Sequence, residues 1–195
     1  MKLVMERIAE DVNWDEPFHL PVELEGDGWK AGRGLALGFM HGAGGASSCS
    51  IRLNGDGTFQ IIAGTIDMSG SSTGLSQLAA EELGVSLDEV RYDCGDTDVA
   101  PESIRATGSM VTRSVGLAVL KAAKDAREKI FQVAAAKLEA SPDDLAVEEG
   151  RVFVRSAPDR SMTLAQVSAA SPSTGGFIIG QGMSEAPTTC PVYTS

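Results

Sequence analysis

The strongest constraint on the fold of this chain is one long amphipathic helix, predicted from Ser109 to Ala140. Apolar residues recur along it at helical spacing, while Lys121, Asp125 and Lys129 pair on the other side. The apolar stripe consists of Val115, Val119, Ala122, Ala126, Ile130, Ala134 and Leu138. A helix with one apolar stripe has to bury that stripe against another layer of secondary structure.

Segments in which apolar and polar residues alternate lie upstream and downstream of this helix, and they are expected to form the β-sheet layer on which it packs. Residues 46–66 alternate on both sides of a turn at 54–57, which predicts a β-hairpin. Strands are also expected at "GLALGFM", through Val90 and Tyr92, and in a second hairpin around Glu149 and Gly150. The expected fold is α+β: a mixed β-sheet with β-hairpins, packed against one short and one long α-helix.

The rest of the chain is divided by its turn residues. A helix at 73–83 is expected to stop at Gly84, and shorter helices are expected at 2–13 and 163–169. Ser86 and Glu89 have capping-box spacing. The segments 83–90 and 138–145 resemble each other, either as two similar helix-then-strand units or as common turn sequences. A Gly/Pro-rich tail completes the chain.

Charge and residue usage exclude several classes of function. The net charge of -11 repels phosphate backbones and anionic membranes, so neither nucleic acid nor membrane is an expected partner. No apolar run approaches the ~18 residues of a membrane span. The three cysteines are far apart and no signal peptide precedes them, which favours reduced thiols and a cytoplasmic location. His19 and His41 are the only histidines in the sequence. A metal site built from histidines or a Ser-His-Asp triad is therefore not expected.

Two small-residue loops could carry binding chemistry. "DMSGSST" precedes the short helix and "RATGSM" precedes the long one. Small residues allow close approach of a ligand to the backbone, and the free amides of a helix N-terminus bind phosphates. Arg105 and Arg113 flank the second loop and could add charge. The alternative is that both loops are ordinary helix caps and turns.

The segment "GDTD" and the neighbouring Cys94 offer weaker candidates. Asp96 and Asp98 could ligate Mg²⁺, although a turn held by aspartate side chains is the favoured interpretation. Cys94 is expected to be a buried strand residue rather than a nucleophile, because no histidine lies near it in the sequence.

Taken in order, five segments resemble the large, molybdopterin-binding subunit of the xanthine dehydrogenase / aldehyde oxidase / carbon monoxide dehydrogenase family. They are "GRGLALG", "GTIDMSGSSTGLSQLAAEELGV", "VRYDCGDTDVAP", "ATGSMVTRSVGLAVLKAAKDAREKI" and "LEASPDDLAVEEGRVFV", and they cover Gly32 to Val154. The resemblance implies an oxidoreductase that holds molybdenum on a pterin dithiolene, often extended by a cytidine nucleotide. It divides the chain into an N-terminal helix and lead-in, 1–31, and a partial molybdopterin-binding domain, 32–195.

The resemblance also implies which residues contact the cofactor. Met68, Ser69 and Gly70 stand where the family usually has Gly-Gln-Gly, so Ser69 replaces a long side-chain donor. Thr107, Gly108 and Ser109 match the family's second loop. The full expected set of cofactor-binding residues is Met68, Ser69, Gly70, Ser71, Thr107, Gly108, Ser109 and Arg113. No catalytic or metal-ligating residue is expected in this chain.

The family's glutamate base and its first cofactor-binding half have no counterpart here, so the chain is expected to be a fragment of the second cofactor-binding region. Its implied partners are the remainder of the large subunit and the FAD-binding and iron–sulfur subunits or domains. Alone, it is expected to be inactive, to hold no cofactor and to associate into homodimers. Two alternatives stay open: a non-catalytic binding or assembly module, and an unrelated nucleotide-phosphate binder.

Overall fold

The structure, a computed structural model, describes residues 2–19, 28–36, 38 and 44–185, which fall into two compact units, Met1–Met40 and His41–Ser195. The first unit contains helix α1 (Lys2–Asp11), which buries none of its residues. The Arg33 guanidinium lies over the rings of Trp14 and Phe18, 5.8 and 5.5 Å from their centroids. It also donates to Val12 O at 2.8 Å, so it holds the segment that follows α1.

The second unit contains the strands and the remaining helices. The strands are β1 (Ser47–Leu53), β2 (Phe59–Ala63), β3 (Val90–Asp93), β4 (Leu145–Glu148), β5 (Arg151–Val154), β6 (Ala157–Thr163) and β7 (Ile179–Ser184), and the helices are α2 (Ser71–Leu83), α3 (Val111–Leu138) and α4 (Leu164–Ala170). Within the described residues the strands form a four-stranded sheet, in the order β3-β2-β1-β7, and a three-stranded sheet, β4-β5-β6. The β2–β3 pair is parallel and the other pairs are antiparallel, so the predicted mixed sheet with hairpins is confirmed.

One face of the larger sheet is buried beneath α2 and α3. Alternate residues of β1 and β2 point into this core, in agreement with the alternation seen in the sequence. They are Cys49, Ile51, Leu53, Phe59, Ile61 and Ala63. The α3 stripe is buried from Val115 to Ala134, and Leu138 packs at its edge. The predicted pairing of stripe and sheet is therefore the core of the protein.

Helix α3 lies unusually close to β7. A Cβ on Gly180 would collide with the backbone of Ala122 and Ala126, and one on Gly182 would collide with Ala118 and Ala122. Glycine on the strand and alanine on the helix together remove the side chains that normally separate two layers. This stretch of β7 therefore tolerates no side chain on its inner face.

The same helix covers the free edge of β7 with charged side chains. Lys121 Nζ donates to Met183 O, Lys129 Nζ donates to Ile179 O, and Asp125 Oδ2 accepts from Gln181 N, each at 2.8 Å. The i,i+4 spacing on the helix matches alternate residues of the strand. Of the expected pairs, Lys129 with Asp125 is present at 2.8 Å, whereas Lys121 bonds to the strand. The main partners of all three side chains are backbone groups that an edge strand otherwise leaves open.

Helices α2 and α3 run in the same direction. Leu78 and Leu75 of α2 pack against Gly116, near the start of α3. Farther along, Arg127 forms an ion pair of 2.8 Å with Glu82 and also donates to Glu82 O at 3.2 Å. Early residues of one helix thus meet early residues of the other, and later residues meet later ones. The two N-termini, with their loops, consequently lie at the same end of the helix layer.

Several predicted boundaries were wrong. Helix α2 begins at Ser71 rather than residue 73, and α3 occupies Val111–Leu138 rather than 109–140. The described residues of "GLALGFM" (34–36 and 38) are not in a strand, and the rest of that segment lies outside the described residues. The Gly/Pro-rich tail contains β7, and β6 was not anticipated. The capping box at Ser86 and Glu89 is present.

Candidate functional site

Both small-residue loops enter their helices through two successive left-handed residues. Before α2 these are Ser69, with φ of 59°, and Gly70, with φ of 75°; before α3 they are Gly108, with φ of 56°, and Ser109, with φ of 55°. A serine in this conformation costs about 1–3 kcal/mol, and such strain is concentrated at functional sites. Successive left-handed residues also turn backbone N–H groups toward one side, which can form a concave anion site.

The start of α2 is already occupied by a carboxylate. Asp67 Oδ1 accepts from the Ser72 backbone N–H at 3.1 Å and from the Ser71 hydroxyl at 3.2 Å. The Ser72 backbone N–H, assisted by the serine hydroxyls, lowers the pKa of Asp67 below its ordinary value, so this carboxylate stays charged. A negative side chain therefore lies over the first turn of α2 and uses one of its free amides.

The start of α3 has no such cap. No side chain of a described residue caps its first turn, and the Met110 N–H donates to Thr107 O at 3.1 Å, which closes a turn before the helix. Among the described residues, none accepts a hydrogen bond from the backbone amides of Val111, Thr112 or Arg113. Arg113 is exposed on this turn. The N-terminus of α3 therefore keeps open donors, the positive end of the helix dipole and a nearby guanidinium.

Matching the two left-handed pairs aligns the loops residue by residue. Ser71 N donates to Met68 O in one loop, as Met110 N donates to Thr107 O in the other. In this alignment Ala106 stands where Asp67 stands in the first loop. A methyl group therefore replaces the capping carboxylate, and that single difference explains why one helix start is closed and the other is open.

The second loop is anchored to the sheet from beneath. Ser114 is 3% exposed, and its hydroxyl accepts from Gly45 N at 3.2 Å. Upstream of the loop, Ile104 N donates to the Ser47 hydroxyl at 3.2 Å, and Ser48 N donates to Glu102 O at 2.8 Å. These contacts fix both sides of the Thr107–Ser109 segment, so its amides are held in place before any ligand arrives.

The weaker candidates resolve into structural roles or remain unassigned. Asp96 Oδ1 accepts from Asp98 N at 2.9 Å, which is the turn favoured by the sequence, and the described residues contain no group of three potential metal ligands. Cys94 is exposed just beyond β3, so its expected burial was wrong. Burial instead raises the pKa of Cys49 to about 12. His41 and Cys190 lie outside the described residues.

The structure brings the predicted residues to one end of the helix layer but gives them different surroundings. Met68, Ser69 and Gly70 are exposed, and Ser71 is half-buried beside the Asp67 carboxylate. Thr107, Ser109 and Arg113 are exposed, and Gly108 is half-buried. Sequence reasoning missed Asp67 as the residue that distinguishes the two loops, although an aspartate just before a helix is a known capping signal.

No described helix is both long enough and apolar enough to span a bilayer.

Comparison with known proteins adds a family match. Residues 7–189 match the model of a molybdopterin cofactor-binding domain. The carbon monoxide dehydrogenase large chain of Hydrogenophaga pseudoflava is 32% identical over 127 residues, which are 65% of this chain and 16% of that protein. The 6-hydroxypseudooxynicotine dehydrogenase complex subunit gamma of Paenarthrobacter nicotinovorans is 30% identical over 163 residues, 83% of this chain and 20% of the relative.

A solved structure agrees with these relatives. The reconstituted CO dehydrogenase from Oligotropha carboxidovorans superimposes with a TM-score of 0.65 at 27% identity, over 73% of this chain and 18% of that chain. Quinoline 2-oxidoreductase from Pseudomonas putida 86 shares the fold, with a TM-score of 0.63 at 24% identity. The chain thus spans a fifth or less of each of these proteins.

Proposed function

Because the chain belongs to the molybdopterin cofactor-binding domain family, we propose that it forms part of a molybdenum hydroxylase large subunit and holds a phosphate of the pterin cofactor at the N-terminus of α3. One observation carries this proposal: the first-turn amides of α3 have no acceptor among the described residues. A phosphate would satisfy these donors and gain from the helix dipole. Gly108 allows close approach, and Arg113 adds a charge that can reach the ligand.

The first loop fits a different part of the cofactor. The Asp67 carboxylate occupies an amide that a phosphate would need and would repel that phosphate. We assign Met68, Ser69, Gly70 and Ser71 to backbone contacts with an uncharged portion of the pterin. Ser69 stands where the family usually has glutamine. Its hydroxyl is on a shorter side chain, so it can donate a hydrogen bond only to a ligand atom close to the backbone.

When bound, the molybdenum–pterin group supplies the oxidative chemistry, and the residues of this chain bind and orient it. A cytosine dinucleotide form would bring a second phosphate to the same end of the helix layer. We assign binding to the domain formed by residues 32–195 and no binding role to the lead-in 1–31. The rest of the large subunit, with FAD-binding and iron–sulfur partners, would complete the enzyme.

A titration of backbone amides tests the α3 site directly. Pyrophosphate and cytidine diphosphate should shift the NMR signals of residues 107–113 in the 195-residue chain. The expected affinity is about millimolar, or roughly -4 kcal/mol, because a few amide hydrogen bonds carry it. Uridine diphosphate is the matched control for the base, since a phosphate site alone should not distinguish it from cytidine diphosphate. Shifts elsewhere, or none at high concentration, would leave this loop an ordinary helix start.

A non-catalytic binding or assembly module is the second candidate, and the Asp67 cap together with Ser69 favours it, because both weaken contact at the first loop. The two functions differ in what the chain does inside its complete protein. We expect the 195-residue chain alone to hold no stoichiometric molybdenum and to oxidise no aldehyde or purine. Elemental analysis and turnover with an artificial electron acceptor, applied to the chain and to its parent protein, separate the two candidates.

A further inference from the structure

The two edges of the larger sheet differ in how well they are protected. At the β7 edge, Lys121, Asp125 and Lys129 of α3 bond to the outward backbone groups. At the other edge, β3 pairs with β2 on one side and with no other strand among the described residues. The backbone N–H and C=O groups on its second side are therefore a template for a further strand.

The space beside β3 leaves room for such a strand. A cavity of about 500 Å³ borders β3 and α2, and both faces of β3 contribute to its lining, through Tyr92 and Asp93. From α2, only Ser72, Thr73 and Ser76 reach it. Because these α2 side chains are short, they do not keep another backbone away from the edge of β3.

The charges on β3 have opposite signs and lie on one face. Arg91 and Asp93 are two residues apart, so their side chains project from the same, exposed face of the sheet. Gln60 Nε2 donates to Asp93 Oδ2 at 3.2 Å and holds the carboxylate on this face. Charged residues normally keep an edge strand from pairing with other chains. Opposite charges at this spacing instead complement each other when the strand meets an antiparallel copy of itself.

The register of such a pairing follows from these charges. In an antiparallel pair across a two-fold axis, residues directly opposite each other share a face. With Arg91 on the axis two arginines oppose each other, and with Asp93 on the axis two aspartates do. A shift by one residue turns the copy over and places Arg91 opposite Tyr92. Only with Tyr92 on the axis does Arg91 of each copy lie opposite Asp93 of the other.

We propose that β3 is a docking edge for a second copy of this chain, which joins two four-stranded sheets through antiparallel β3–β3 pairing centred on Tyr92. Backbone hydrogen bonds supply most of the attraction, and the Arg91–Asp93 pairs select the register. Because each copy contributes a strand of four residues, the dimer is expected to be weak and reversible. This inference does not depend on molybdopterin binding.

Association of the full chain is the first test. Sedimentation equilibrium should show a reversible monomer–dimer equilibrium at physiological salt, which screens the repulsion between two chains of net charge -11. On dilution, the NMR amide signals of residues 90–93 should shift, whereas those of β7 should stay in place. A monomer at every concentration, or dilution shifts confined to other residues, would overturn the proposal and leave this edge to a strand from the rest of the large subunit.

An exchange of charges tests the register. Arg91→Asp places two carboxylates opposite each other and should raise the dimer dissociation constant about tenfold, and Asp93→Arg should do the same by opposing two guanidinium groups. The double variant exchanges the charges and should restore the affinity to within about threefold of the wild type. Contacts within one copy could not give this recovery, because the double variant still lacks the bonds that Asp93 accepts from Gln60 and from Gly95 N.

Lys124→Asp and Asp159→Arg are the matched controls, because they make the same changes of charge at exposed positions of α3 and β6. Both should leave the dissociation constant unchanged, and circular dichroism verifies the fold of every variant. An unchanged dimer in Arg91→Asp, an equal loss in Lys124→Asp, or no recovery in the double variant would show that another surface holds the two copies together and would overturn the proposal.

Discussion

Helices α2 and α3 are both entered through two successive left-handed residues, yet only α2 has a carboxylate over its first turn. In both loops the left-handed pair is one glycine and one serine, and both loops have the same closing hydrogen bond. The difference lies two positions before the left-handed pair. In the first loop this residue is Asp67, whose carboxylate accepts from Ser72 N, and in the second loop it is Ala106, whose side chain has no acceptor. The capacity of a helix start to bind an anion is therefore set by whether the chain already provides one.

The largest effect is expected from closing the open loop. Ala106→Asp places a carboxylate in the position that corresponds to Asp67, where it can accept from Val111 N and repel an anion. Pyrophosphate affinity should fall about tenfold to a hundredfold, the range for losing a hydrogen bond to a charged group. Ala106→Asn is the uncharged control and should cost less. Unchanged affinity in Ala106→Asp, measured by amide titration, would refute the comparison.

A smaller loss is expected when the left-handed backbone is disturbed. Gly108→Val puts a β-branched residue at φ of 56°, a conformation that such residues rarely adopt. Pyrophosphate affinity should fall about tenfold as the loop shifts and its close approach is blocked. Gly70→Val imposes the same strain on the first loop, at φ of 75°, and should leave binding at α3 intact. Equal losses in both variants would mean that the effect is global.

Opening the closed loop is the reciprocal test. Asp67→Ala removes the cap of α2 and frees Ser72 N. The thermal midpoint should drop by roughly 2–4 °C, as for a lost N-cap in a domain of this size. In the same variant pyrophosphate should begin to shift the signals of residues 69–73. If the protein is destabilised without gaining these shifts, the carboxylate is a cap but not a barrier to anions.

The Asp67 cap should also show a defined pH dependence. Its pKa is lowered in the folded state, chiefly by the Ser72 N–H, so the stabilisation is fully present above the unfolded pKa near 3.9 and is lost as the pH falls through the lower folded value. Urea denaturation of the wild type and Asp67→Asn should show a stability difference at pH 7 that shrinks below about pH 4. A difference that is constant from pH 3 to 7 would contradict the charged cap.

The smallest effect is expected from Arg113→Ala. The guanidinium is exposed on the first turn of α3, so water and salt screen its attraction for a phosphate. Pyrophosphate affinity should fall about twofold to threefold at low salt, and the difference should vanish near 1 M salt. Arg91→Ala, on an exposed position of β3, is the control. A larger loss that persists in high salt would show that Arg113 makes a direct, buried contact.

Much of the fold followed from periodicity, because the α3 stripe and the alternation of β1 and β2 report burial directly. Strand β7 could not be found this way. Gly180 and Gly182 face the helix backbone, so the inner face of this strand lacks the apolar side chains that mark a strand in a sequence. Its outer edge depends on Lys121, Asp125 and Lys129, whose helical spacing had predicted only that they pair with each other.

The candidate site was predictable only in outline. Small residues before two helices identified both loops, since glycine and serine signal turns and helix starts. The common direction of the helices depends on contacts such as Gly116 with Leu78, which are distant in sequence. The first loop is closed to anions because Asp67 accepts from Ser72 N, and the left-handed residues Ser69 and Gly70 lie between these two partners. Neither could be read from residue spacing.

The pairing of β1 with β7 has a consequence for biosynthesis. Ser184 Oγ donates to Ser47 O, a contact between residues 137 positions apart. At about 5–20 residues per second, a ribosome needs roughly 7–30 s to make the intervening chain. During that interval one edge of β1 has emerged without its strand partner, and such an edge is prone to pair with other chains. Production of this protein should therefore depend on chaperones that shield nascent strands, more than on the folding rate of its helices.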